Sequence, residues 1–220
     1  IHSKKFKAGA TILGSRSPHI NSGNILLVTN VANESIDRYF NLTNEIVYVN
    51  AIGENIQQRL NGCDYDSDTL LLTDNELLIV AAKKNYGKFK VPTCCVESQK
   101  TERKYNHEHK ADLDIKTSVN KIGEIVNLSQ QLNSLLWERI ANGSTVDKEQ
   151  ELYNDICKLA VLSGIEIDKA KKEFIINSGY EINFLKTKYK LEENGQQVKP
   201  MFFKMITIEN GYELNDRVNY

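Results

Sequence analysis

Asn61-Gly62-Cys63-Asp64-Tyr65-Asp66-Ser67-Asp68 sets three aspartates at alternate positions, directly before the strand-like run Thr69-Leu70-Leu71-Leu72. In an extended or tightly turned backbone, residues two apart point the same way, so three carboxylates can converge on one point. Two bare carboxylates about 4 Å apart repel by about 4 kcal/mol at an effective dielectric of about 20, and a cation removes that cost. An all-oxygen donor set selects hard ions. Mg²⁺ in particular takes few carboxylates and completes its shell with water and phosphate oxygens. A calcium loop is excluded, because Thr69 stands where its sharp turn needs Gly and Asn75 where a bidentate Glu is required. The plain alternative is an acidic turn in solvent.

Outward from this loop the chain changes period. From Lys7 to Val96 the apolar residues come in short runs: Ala10 to Leu13, Ile25 to Val31, Ile46 to Val49, Leu70 to Leu72 and Leu77 to Ala82. Such runs between Gly, Asn and Ser turns predict strands, interrupted by a helical stretch from Glu54 to Leu60. From Ile115 onward Val119, Ile122, Val126, Leu132, Leu136 and Ile140 recur mostly at three- to four-residue steps, which predicts one long amphipathic helix ended by Asn142 and Gly143. A second helix, opened by Thr145 or Asp147 and carrying Leu152, Ile156 and Leu159, is expected to stop at Ser163 and Gly164. Asp168 is expected to open a Lys-rich turn, and Met201 to Ile208 reads as a final strand.

Charge gives no global guide, since 28 Lys and Arg face 29 Asp and Glu in 220 residues. One local excess lies between Lys83 and Lys110, with Lys83, Lys84, Lys88, Lys90, Lys100, Arg103, Lys104 and Lys110 against Glu97, Glu102 and Glu108. It reads either as a phosphate-contacting segment or as a solvated linker. The longest apolar runs fall far short of the roughly 20 residues that span a bilayer, so no membrane partner is expected. Four cysteines, two of them adjacent, do not make a disulfide framework and point to a reducing compartment. Cys94, Cys95, His107 and His109 contain zinc-binding residue types without the usual gap between the cysteines. Ile1 and the absence of a leader pattern behind it read as the start of an excised piece.

Three segments resemble the two-barrel RNA polymerases, and among them the RNA-silencing type of RNA-dependent RNA polymerase. Gly62-Cys63-Asp64-Tyr65-Asp66-Ser67-Asp68 is similar to the family's metal loop, with Ser67 in place of a glycine. Arg16-Ser17-Pro18-His19-Ile20-Asn21-Ser22-Gly23-Asn24-Ile25 resembles an upstream segment in which Arg16, Pro18 and Gly23 match while Asn21, Ser22 and Asn24 depart. Leu159 to Ser163 followed by Ile167-Asp168-Lys169-Ala170-Lys171 resembles a helical pattern downstream. The resemblance implies an α+β fold, a double-psi β-barrel followed by a helical region, divided as barrel 1–97, basic linker 98–114 and mainly helical region 115–220. It implies Asp64, Asp66 and Asp68 as catalytic ligands of Mg²⁺, with Mn²⁺ as a substitute, and Arg16 as the contact to the sugar hydroxyls of a nucleotide.

The expected function is that of a catalytic-core fragment transferring nucleotides to an RNA 3′-hydroxyl. Its partners are nucleoside triphosphates, a DNA or RNA template, and the rest of a polymerase chain with a second barrel that supplies lysines. The fragment alone is expected to be inactive. High Asn, Lys and Ile content with little Arg points to an AT-rich bacterial or phage genome, hence to the cytoplasm of a bacterial or phage-infected cell. Two rival readings are a non-catalytic barrel that binds nucleic acid or a partner and keeps a relic acidic loop, and an unrelated metal-dependent nuclease or hydrolase.

Overall fold

Residues 1–40, 43–50, 52–193 and 196–197 are described in a computed structural model of the chain. It divides into two compact units between Val96 and Glu97. The fold is mixed α and β.

In the first unit, β1 (Thr11–Ser15) is the central strand of an antiparallel sheet, with β2 (Leu26–Thr29) on one side and β3 (Leu71–Thr73) on the other. Ile12 and Leu26 are buried, as the alternation along a half-covered strand requires. The unit also holds three short helices, α1 (Glu34–Tyr39), α2 (Ile56–Arg59) and α3 (Glu76–Asn85), of which α3 packs on β1 and β2. Leu26, Ile56, Leu60 and Cys63 form one buried cluster, with Val28, Val49 and Leu70 packed against it. The sheet has three strands. The described residues show no double-psi barrel.

Two expected strands are absent. Ile46 to Val49 makes only an isolated bridge, Tyr48 with His2. Leu77 to Ala82 lies in helix α3, where Asn75 accepts the Leu78 N–H at 3.2 Å and Lys83 and Lys84 occupy the last turn. The cap and the cationic end favour a helix over an apolar run that otherwise resembles a buried strand.

The second unit is helical, with α4 (His107–Thr117), α5 (Ile122–Ala141), α6 (Gln150–Asp168) and α7 (Ser178–Lys188), then the paired two-residue strands β4 (Glu192–Glu193) and β5 (Gln196–Gln197). The long helix expected from Ile115 is broken between α4 and α5. Asn120 accepts the Ile122 N–H at 2.7 Å, and Ile115 and Val119, the residues that extended the period, are exposed. The stretch 98–114 holds the start of α4. Ile125, Leu128, Leu132 and Leu136 line the buried face of α5 and meet Leu152, Ile156 and Leu159 of α6 across a short connection, in which Gly143 has φ 95°. Ser163 and Gly164 do not end α6, which continues through buried Ile165 to Asp168. Asp168 is the last residue of that helix, and the expected Lys-rich turn follows it, with the Lys171 and Lys172 N–H groups both closing on the Asp168 carbonyl at 2.8 Å. The expected strand Met201 to Ile208 lies outside the described residues.

Candidate functional site: Arg16 and the aspartate loop

The antiparallel register decides where Arg16 goes. Ser15 pairs with Leu71, so the backbone leaves β1 at Arg16 beside the point where the aspartate loop enters β3. The Arg16 guanidinium lies 2.9 Å from a carboxylate oxygen of Asp68 and also donates to the Asn61 carbonyl at 3.2 Å. Its side chain is largely buried, at 14% exposed. Asn61 in turn donates to the Pro18 carbonyl at 3.4 Å, tying the Arg16–Pro18 segment to the loop's start.

The loop begins where α2 ends. Asn61 and Gly62 have φ of 57° and 71°, a left-handed pair suited to Asn and Gly, and the Gly62 and Cys63 N–H groups close back on the Gln57 carbonyl. Cys63 then anchors the chain in the core, and beyond it Asp64 to Asp68 run exposed. Burial pushes the Cys63 thiol up, opposed by Arg16 and reinforced by the Asp68 and Asp64 charges, so the thiol stays protonated and inert at neutral pH.

The three carboxylates take different partners. Asp68 accepts the Asp64 N–H at 2.8 Å besides its ion pair with Arg16, and Asp66 accepts the Ser67 N–H at 2.8 Å. Among the described residues neither Asp64 nor Asp66 has an ion pair, and no three His, Cys, Asp or Glu side chains come together to hold an ion. The donor chemistry suits Mg²⁺. Asp68 is already paired with a guanidinium, so Asp64 and Asp66 are the carboxylates left to meet an ion. Arg16 and Asp68 are therefore brought together, while Asp64, Asp66 and Asp68 do not form a shared ligand set.

Elsewhere, Cys94 and Cys95 are exposed thiols and the His109 ring nitrogen accepts the Lys104 N–H at 3.1 Å, so the zinc residue types form no cluster among the described residues. Asn61 escaped the sequence reading although it ties both segments together; the Asn-Gly pair at the end of a short helix was the signal that pointed to it. Among the described residues, no helix is long and apolar enough to cross a membrane. No protein-family model, no curated protein and no solved structure matches the chain.

Proposed function

We propose that the chain is a catalytic-core piece of a two-barrel RNA polymerase, a Mg²⁺-dependent nucleotidyltransferase when joined to a second barrel. One observation supports the reading above the rest. Arg16 and Asp68 come from two segments that resemble that family separately, and they meet at 2.9 Å. Asp64 and Asp66 remain exposed beside them, open to an ion whose shell substrate phosphates would complete. Nucleoside triphosphates and a DNA or RNA template are the partners of this reading. Its barrel requires strands beyond β1, β2 and β3.

The non-catalytic reading, a nucleic-acid or partner-binding domain with a relic acidic loop, is favoured by a different observation. Asp68 is satisfied by Arg16 and by the Asp64 N–H, so the loop needs no cation to offset its charge at that position. Titration with Mn²⁺ separates the two. The polymerase reading expects paramagnetic broadening centred on the amides of Asp64 to Asp68 at millimolar metal, lost in Asp66→Asn, and abolition of nucleotide addition by the same substitution in the intact enzyme. Amides that stay sharp, or an active Asp66→Asn polymerase, would leave the relic loop as the answer.

A further inference from the structure

Helix α3 is fixed without help from its outer face. Ile79 and Ala82 are buried, and the helix packs on β1 and β2. Asn75 caps its start. At its end Tyr86 donates to Glu54 at 3.2 Å, and the Arg59 guanidinium stands 4.7 Å from the Tyr86 ring. The outer face is apolar all the same. Leu77, Leu78 and Val80 are 81%, 52% and 51% exposed, and Ala81 lies exposed among them. Leu77, Val80, Ala81 and Lys84 recur at three- and four-residue steps, which puts them on one side of the helix, away from Ile79 and Ala82. Apolar residues scattered singly over a surface are ordinary, but three of them on a ten-residue helix, on a face the fold does not use, mark a contact surface.

The charges of this segment are sorted by end. Asp74 and Glu76 stand at its start, and Lys83 and Lys84 occupy its last turn. Among the described residues none of the four has an ion pair. That order suits the helix dipole, and it also restricts what can lie on the apolar face. A nucleic acid or an anionic lipid surface is drawn to the lysines and repelled by the acids. A protein partner must set cations over Asp74 and Glu76 and acids over Lys83 and Lys84. Helix α3 turned end for end does both, and a two-fold axis across its middle satisfies the two ends with a single surface.

We infer that this face docks a second copy of the chain, with the two α3 helices packed antiparallel. Leu77, Val80 and Ala81 meet their counterparts across the axis, and the small Ala81 side chain lets the backbones approach. The acidic start of each helix meets Lys83 and Lys84 of the other copy. Apolar contact supplies the affinity, and the exposed charges fix the direction. Two ten-residue helices cover less than the roughly 800 Å² per partner of a standard interface, so the dimer is weak, with a Kd of about 100 μM. The surface shares no residue with the aspartate loop and does not depend on the polymerase reading.

Sedimentation equilibrium of the whole 220-residue chain is the test. Between about 10 μM and about 1 mM it should pass from monomer to dimer and no further. Leu77→Gln removes only exposed apolar surface, and it should weaken the dimer by about tenfold or more with an unchanged circular dichroism spectrum. Chains carrying Asp74→Lys with Glu76→Lys, or Lys83→Glu with Lys84→Glu, should each stay monomeric, while an equimolar mixture of the two should recover the dimer. A chain that is monomeric throughout, assembly beyond two copies, an undiminished Leu77→Gln dimer, or dimers in both charge-reversed chains would each overturn the assignment. So would a mixture that stays monomeric although both variants keep the original spectrum. A monomeric chain that sediments with phosphatidylserine vesicles would give the face to a lipid surface instead.

Discussion

A Cβ placed on Gly23 would lie 2.8 Å from the Lys90 carbonyl oxygen and 3.1 Å from that of Phe89, and both are backbone atoms that yield only if the chain moves. Gly23→Ala should therefore destabilise the first unit by about 1–3 kcal/mol in urea unfolding. Gly164→Ala, in the interior of α6 with nothing within 4 Å of the new methyl, should instead stabilise by about 0.5–1 kcal/mol. Equal effects at the two sites would show that the approach at Gly23 relaxes without strain. The sequence marks Gly23 as a residue to watch, since it is one of three that match a family segment. It cannot say why glycine stands there, because nothing local shows that residues 89 and 90 cross its backbone. The same holds at the loop. Three alternate aspartates are legible as an acidic cluster, but which of them faces a guanidinium depends on how far β1 and β3 run before the chain leaves the sheet.

Helix α3 illustrates how an element escapes its own apolar pattern. Leu77, Leu78 and Val80 are at least half exposed, so the run that reads as a buried strand is a helix with much of its apolar surface outward. Its start rests on Asn75, and Asn75→Ala should cost about 1 kcal/mol in the same urea assay while Asn75→Asp costs little. No loss in the alanine variant would mean that packing against β1 and β2 alone fixes the helix. Where the period was longer the reading was better. The expected period meets the buried face of α5 at Leu132 and Leu136, while Ile125 and Leu128, which complete that face, stand outside the period as read. The period failed at Ile115 and Val119, where exposed residues happen to keep the same spacing. Gly164 misled in the opposite way, since a glycine costs a helix only about 1 kcal/mol and the buried residues around it outweigh that.

Across the whole molecule, the change from short runs to helical spacing is the most legible feature, and the two units do differ in this way. The stretch from Val91 to Asn106 contains no helix or named strand and is mostly exposed. Limited trypsin digestion should therefore cut first at Lys100 or Lys104, giving one fragment with the sheet and one with α4 to α7. First cuts inside α5 or α6 would contradict that order of accessibility. The asparagine richness that reads as a mark of base composition also has a structural use. Asn33, Asn55, Asn75, Asn106 and Asn177 each accept the N–H three residues on, capping five of the seven described helices. An aspartate in that role gains a proton in acid and weakens as an acceptor, whereas an amide has no proton to gain. Acidification must then act elsewhere. In the second unit it reaches Asp112 and Glu149, held below the usual carboxylate range by Arg103 and Arg139, and Glu173, held there by Thr101 and Arg103. These groups contribute stability above their unfolded values and lose it as pH falls through the lowered ones, so an acid-weakened chain would come apart at its ion pairs while its helix starts stayed tied.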